Sequence, residues 1–375
     1  MKLTIKTITL QEMVVRAVKG ASNNKLIPLT SLMAIELKKN KLTLTTTDAT
    51  NYLYIIEDNV QGDDFYVVVE VDKFSKLIAR MTCDTITMKL TKNVLNVVGN
   101  GTYNIDIVLD EDGSVIEFPN KLNGLPKDFK KKKKTYDVNM ATILTILNSV
   151  KPSIDVMEGA NTVSGNICYT GYYVADKVVA TNTMKMTCMN VEVFDEARLI
   201  SPEMMNLLAV MMAEKIKVET YNDVVIFSTS DCVVYGTIME GIEDYAIDDI
   251  MGLIETDFKF MCVMPKAPLM QLLSRLSLFV GDYDNNAITM TFAKDGLQIS
   301  SQSSNGVEII EYKDSKKFKA FTCKIDINML FVQLKALEAD TVELWYGLDN
   351  AIKLVDGSVT HILSLAFDDI QQEDE

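Results

Sequence analysis

The chain is 375 residues long, 48% hydrophobic and 24% charged, with 37 basic against 52 acidic residues and a formal net charge of −15. The length exceeds what one core serves and fits two or three domains. No apolar run approaches the roughly 18 residues of a membrane span, and MKLTIKTITLQEM lacks the uninterrupted apolar core of a signal peptide, so a cytoplasmic protein is expected.

Period-two alternation broken by turn residues, the mark of a three-stranded antiparallel meander, recurs six times. The copies run over 37–55, 85–109, 166–189, 216–239, 287–312 and 341–367. A helical pattern precedes each. The first helix is predicted from Leu10 to Gly20, with Thr9 and Glu12 in capping-box spacing. The second follows Asp72 as N-cap in VDKFSKLIARM, after which PNKLNGLPKDF and the lysines Lys130 to Lys134 read as a linker. The third helix is NMATILTILNSVK. The fourth starts at Pro202 behind a capping Ser201. A second, acidic linker follows, and PKAPLMQLLSRLSLFV and INMLFVQLKALEA supply the fifth and sixth helices.

Helix starts at Leu10, Lys73, Met140, Pro202, Lys266 and Ile327 are spaced by 63, 67, 62, 64 and 61 residues. That is an internal repeat of helix plus small antiparallel sheet. The two linkers group the six copies in pairs, giving an α+β chain of three domains at 1–122, 136–242 and 258–375, with connections at 123–135 and 243–257.

One histidine, His361, leaves little for imidazole-based catalysis. The six cysteines, Cys83, Cys168, Cys188, Cys232, Cys262 and Cys323, contain no Cys-x-x-Cys pair and read as small core hydrophobes. No nucleophile and base pair, metal-ligand spacing or phosphate-binding glycine loop is found, so neither catalysis nor a cofactor is expected.

The charge is unevenly placed. The six helix windows hold only two carboxylates, Glu12 and Glu203, against nine basic residues: Arg16, Lys19, Lys73, Lys76, Arg80, Lys151, Lys266, Arg275 and Lys335. With Lys25 and Lys215 nearby, these are the candidates for contact with a polyanion, because a surface passing phosphates must exclude Asp and Glu. An ordinary solvated helix face is the plainer reading of any one helix. Small sheets joined edge to edge leave terminal edges open, and a head-to-tail contact whose rotation closes makes a ring. Such an annulus, helices inside and acidic rim outside, would hold duplex DNA by topology without reading bases.

The ordered set MKLTIKTITLQEMV, KLIPLTSLMAIELKKNKLTLTTTDA, EFPN at 117–120, VADKVVATNTMKM and EGIEDY at 240–245 resembles the bacterial sliding clamp family, the beta subunit of DNA polymerase III, over nearly the whole chain. The resemblance implies the DNA clamp fold in a homodimeric ring with helices lining the pore, a processivity factor in DNA replication without enzymatic activity or membrane contact. It also implies a peptide pocket used by DNA polymerase and clamp loader, carried over to Ile167, Thr181, Met184, Lys185, Met186, Glu243, Tyr245, Ile247, Leu363 and Leu365. For the dimer interface it implies Tyr103 and Ile105 against Phe279 and Val280.

The sequence departs from the family pattern in several places. Asn182, Thr183, Met184 and Lys185 stand for Asp-Gly-His-Arg, Glu243 for the pocket proline, and Ser364, Leu365 and Ala366 for Met-Pro-Met, with an acidic tail to Glu375 beyond. A divergent member such as a phage would encode, with a drifted peptide preference, is the expectation. The competing reading is an acidic repeat scaffold for protein–protein interaction with no DNA in its hole.

Overall fold

The computed structural model describes residues 1–158, 161–281, 286–301 and 305–366. The acidic tail and most of the loop after Val280 lie outside the described residues. The chain forms two compact units, Met1–Ile143 with Glu203–Ile238, and Leu144–Pro202 with the chain from Met239 onward. Its helices are α1 (Thr7–Ala17), α2 (Val71–Ala79), α3 (Phe129–Lys132), α4 (Met140–Thr145), α5 (Pro202–Leu208), α6 (Ile247–Glu255), α7 (Lys266–Leu276) and α8 (Ile327–Ala336).

The first unit has an eight-stranded antiparallel sheet ordered Phe65–Glu70, Leu32–Lys38, Lys41–Thr47, Tyr52–Glu57, Cys232–Thr237, Val224–Ser228, Lys215–Tyr221 and Lys134–Asn139. A four-stranded sheet runs Lys2–Lys6, Thr85–Thr91, Val94–Val98 and Thr102–Asp106. Between them α1 buries Leu10, Met13, Val14 and Ala17, and α2 buries Val71, Phe74 and Ile78.

The second unit repeats the plan. Nine strands run Arg198–Ile200, Tyr172–Val174, Val178–Thr181, Lys185–Met189, Val359–Ser364, Ala351–Asp356, Thr341–Tyr346, Phe260–Pro265 and Asp314–Lys316. Four more run Val307–Glu311, Gly296–Ser301, Ala287–Phe292 and Phe321–Asp326. Leu269, Leu272, Leu273 and Leu276 of α7 and Leu330 and Leu334 of α8 fill the core against these sheets.

All six meanders form where alternation predicts. Sequence reading missed a leading strand before each helix, and these strands explain why the copies come in pairs. Lys2–Lys6 pairs with the first strand of the second meander, and Phe65–Glu70 with the first strand of the first. The same exchange joins Lys134–Asn139 to Lys215–Tyr221, Arg198–Ile200 to Tyr172–Val174, Phe260–Pro265 to Thr341–Tyr346 and Phe321–Asp326 to Ala287–Phe292.

The exchange also corrects two expected caps. Helix α1 begins at Thr7, not Leu10, and no side chain caps it. Its first N–H is satisfied by the carbonyl of Asp84, just ahead of the exchanged strand, at 3.0 Å. Met140, Lys266 and Ile327 donate likewise to the carbonyls of Glu214, Asp340 and Asn286, each at 2.9 Å. The distant carbonyls therefore satisfy one of the orphan N–H groups at each helix start, and α8 adds a side-chain cap from Asp326. Asp72 is not an N-cap either. It lies in the first turn of α2, 2.7 Å from Lys76.

Five cysteines are buried and Cys83 is half-buried. Burial pushes the Cys188 thiol up to about 11 and those of Cys232, Cys262 and Cys323 to about 12, which keeps them protonated. Among the described residues no cluster of His, Cys, Asp and Glu could hold a metal ion, and no helix is long and apolar enough to cross a membrane.

Candidate functional site

In the second unit, strand Lys185–Met189 pairs with Val359–Ser364, setting Met186 opposite Ile362 and Thr187 opposite His361. Strand alternation then sends these two pairs to opposite faces of the sheet. Met186, Cys188 and Ile362 meet Tyr169, Val179, Tyr245 and Phe258 in an apolar cluster on one face. Over this cluster lies α6, whose Ile247, Ile250, Met251 and Ile254 recur at helical spacing and pack on it. Lys353 donates to the carbonyls of Ile254 and Thr256 at 3.0 and 3.2 Å and stands 4.7 Å from the centre of the Phe258 ring, closing the C-terminal end of α6.

Tyr245 anchors the start of this connection. It meets Tyr169 edge-on at 5.0 Å and Tyr173 at 5.4 Å, and its hydroxyl donates to the Val179 carbonyl at 3.3 Å. Burial raises its pKa far above the ordinary tyrosine range, so it serves as a neutral donor. Beside it opens a cavity of about 580 Å³, walled by Tyr173, Ile242, Tyr245 and Ile247 and rimmed by Glu243, Asp248 and Asp249.

Of the ten expected pocket residues, the structure brings Met186, Glu243, Tyr245 and Ile247 to this face. Leu363 and Leu365 belong instead to the core beneath α7 and α8. Lys185, paired with Leu363, is half-buried, and desolvation depresses its pKa. Thr181 shapes the preceding turn: its hydroxyl donates to the Lys185 carbonyl and accepts from the Thr183 N–H, both at 3.0 Å. Ile167 and Met184 are exposed apolar side chains. Sequence reading missed Tyr169, Tyr173 and α6. The aromatic run CYTGYY and the spacing of Ile247, Ile250, Met251 and Ile254 carried the signal.

The helix cations divide into two sets. Arg16 is held inside the first unit by Asp231 at 2.6 Å and the Val210 carbonyl at 2.9 Å. Burial pushes the Asp231 carboxyl up, but hydrogen bonds from Arg16 and Thr229 win and hold it low. Lys266 donates to the Leu337 carbonyl at 2.6 Å, and Arg275 forks onto Glu308 at 2.8 and 2.5 Å. Lys335 lies over the Phe331 ring, 4.6 Å from its centre. Lys76 bridges to Asp72 one turn earlier, and Lys73 stands 3.8 Å from Asp106. Lys19, Lys25, Arg80, Lys151 and Lys215 are exposed.

Each four-stranded sheet ends in an edge strand with no further partner among the described strands, Thr102–Asp106 in the first unit and Val307–Glu311 in the second. Tyr103 is exposed on the first edge while Ile105 is buried beneath it. In the second unit Leu278 is 80% and Ile309 67% exposed, with Phe279 and Val307 also open. Val280 packs against the core.

No family model and no curated protein matches this sequence. Solved structures do match it, over 98% of the chain. They include the DNA polymerase sliding clamp of Bacillus subtilis, at TM-score 0.82 and 16% identity over 99% of that chain. The beta subunit of a Streptococcus pyogenes DNA polymerase matches at TM-score 0.84 and 15% identity over its full length. The DNA polymerase III beta subunit of Thermotoga maritima matches at 0.80 and 14% over 99% of that chain. The likeness establishes the fold, which is that of these clamps.

Proposed function

We propose that this chain, folded from end to end as the bacterial beta sliding clamps are, is itself a divergent, non-enzymatic sliding clamp. Two copies close a ring around duplex DNA, and the α6-bearing face of the second unit tethers DNA polymerase and clamp loader. The observation that carries the reading is the fold likeness over 98% of the chain at TM-scores of 0.80 to 0.84. The domains are then 1–122, 136–242 and 258–375.

Three features support it. Open edges at Thr102–Asp106 and Val307–Glu311 can each accept a strand from a second copy, with Leu278, Phe279 and Ile309 beside Tyr103 as apolar anchors. Lys19, Lys25, Lys73, Lys76, Arg80, Lys151, Lys215 and Lys335 form the proposed DNA-facing set; Arg16, Lys266 and Arg275 serve the fold instead. Met186, Tyr245, Ile247 and the cavity beside them form the proposed partner site, with Ile167 and Met184 exposed nearby and Thr181 and Lys185 as its turn.

One observation favours the acidic-scaffold alternative: Arg16, Lys76 and Arg275 already pair with Asp231, Asp72 and Glu308, which leaves fewer cations for phosphate. Reversing Lys73, Lys76 and Arg80 to Glu separates the readings. A clamp loses retention on circular DNA, and a scaffold keeps its binding unchanged. The solution mass of a clamp is twice 41.9 kDa, and Phe279→Asp halves it. Met186→Asp abolishes polymerase tethering while the mass stays dimeric; unchanged tethering removes the site.

A further inference from the structure

We infer that the cavity at the start of α6 takes a protein segment that inserts an apolar side chain and carries lysine or arginine beside it. This rests on the proposed docking role of the face and names the chemistry of its partner.

The cavity supplies both halves of that chemistry. Its wall of Tyr173, Ile242, Tyr245 and Ile247 is apolar, with a volume of about 580 Å³ that suits a large side chain and part of a backbone. Its rim is anionic: Glu243, Asp248 and Asp249 line it, with exposed Asp244 next in sequence. None of the four carboxylates is ion-paired among the described residues. The nearby cations are engaged elsewhere, Lys177 by Asp176 at 3.1 Å and Arg198 by Glu196 at 3.2 Å. Lys353 is bound at the opposite end of α6.

The dipole of α6 accounts for Asp248 and Asp249 in its first turn. It does not account for Glu243 and Asp244, which precede the helix in a turn of their own. Tyr173 senses the rim, its pKa raised by burial and then by carboxylates that include Asp248. An acidic rim around an apolar wall repels acidic flanks and phosphate and attracts basic flanks, which gives selectivity and a faster encounter.

The test uses the full chain and three fluorescent peptides sharing a Leu-Phe anchor, flanked by lysines, serines or glutamates. Fluorescence anisotropy should show the lysine peptide binding about tenfold tighter than the serine peptide at low salt. The gap should close to within about threefold near half-molar salt. Glu243→Gln, which leaves α6 untouched, should narrow it, and the triple variant with Asp248→Asn and Asp249→Asn should nearly erase it. Equal binding of the lysine and glutamate peptides, or a gap that survives the triple variant, overturns the inference and leaves the docking face standing. If no peptide binds and Met186→Asp leaves polymerase tethering unchanged, the docking face falls and the inference with it.

Discussion

Each long sheet contains a seam where its most distant chain segments are zipped together, and the two seams share a register but not a chemistry. In the first unit Tyr52–Glu57 meets Cys232–Thr237, with Leu53 opposite Val234. In the second, Lys185–Met189 meets Val359–Ser364, and the same position is Thr187 opposite His361. Both strands leave matching turns. Thr47 donates to the Asn51 carbonyl at 2.6 Å and accepts from the Ala49 N–H at 2.9 Å, as Thr181 does with Lys185 and Thr183. Asp48 and Asn182 each accept from the two following N–H groups near the end of the turn. The repeat thus conserves a backbone device, while the side chains mounted on it differ. At the position of Leu53 and Val234 the first seam is apolar. The second carries a buried chain in which Gln333 donates to Ser153 at 2.8 Å, Ser153 meets Thr187 at 2.6 Å and Thr187 meets His361 Nδ1 at 2.8 Å.

The largest effect is expected where the seam is dry. Leu53 and Val234 are fully buried, so Leu53→Ala should cost about 2–4 kcal/mol through lost contact and residual cavity. Thr187→Val removes a hydroxyl that two buried groups share and should cost about 1–3 kcal/mol. Installing the first unit's pair in the second, Thr187→Leu with His361→Val, should recover part of that loss, since His361 goes with the hydroxyl it meets while Ser153 keeps its bond from Gln333. Chemical denaturation checks all three. A double variant worse than the sum of its parts would mean that the polar chain, not apolar packing, holds the second seam.

These contrasts also mark what the sequence could reveal. The meanders were legible because one-sided burial writes period two, and because turns need residues that tolerate positive φ, as at Asn40 (62°), Asn222 (40°) and Gly357 (60°). The leading strands were not, since Phe65–Glu70 runs into α2 with no turn residue between. In HILSL both faces of the strand are covered, so nothing in the string says that Ile362 faces α6 while Leu363 faces α7 and α8. Which cations are spent was hidden too: Arg16 finds Asp231 some 215 residues later, and no local pattern announces that.

An acid challenge sharpens the comparison. His361 is the chain's one histidine, and burial depresses its pKa to about 4 against an ordinary 6.5. Between those values the unfolded chain binds the extra proton, so stability is full above pH 6.5 and drains away as pH falls toward 4. The loss is at most about 3.4 kcal/mol. It falls on the second unit, because the first has no histidine. Fluorescence of Trp345, the sole tryptophan and part of that unit, should show its unfolding shift to lower denaturant at pH 5 than at pH 7. His361→Gln should flatten the shift; an undiminished slope would move its cause to the carboxylates.

The smallest effect tests whether the shared turn is scaffold or site. Ala49 and Thr183 occupy its left-handed position at φ of 87° and 72°. An L-residue there costs about 1–2 kcal/mol, while glycine adds about 0.5–1 kcal/mol of unfolded-state entropy. Ala49→Gly should therefore gain about half a kcal/mol, and Thr183→Gly somewhat more, because branching at Cβ makes that conformation harder to hold. The Thr183 hydroxyl bonds only the adjacent Asn182 carbonyl, at 2.6 Å on an exposed loop, so its loss subtracts little. If both variants gain and the lysine peptide binds Thr183→Gly as before, the turn in VATNTMKM reflects a backbone requirement that the first unit shares. If Thr183→Gly instead weakens that peptide more than about threefold, the turn contributes to recognition in the second unit alone, and the two copies of one device have parted in function as well as in side chains.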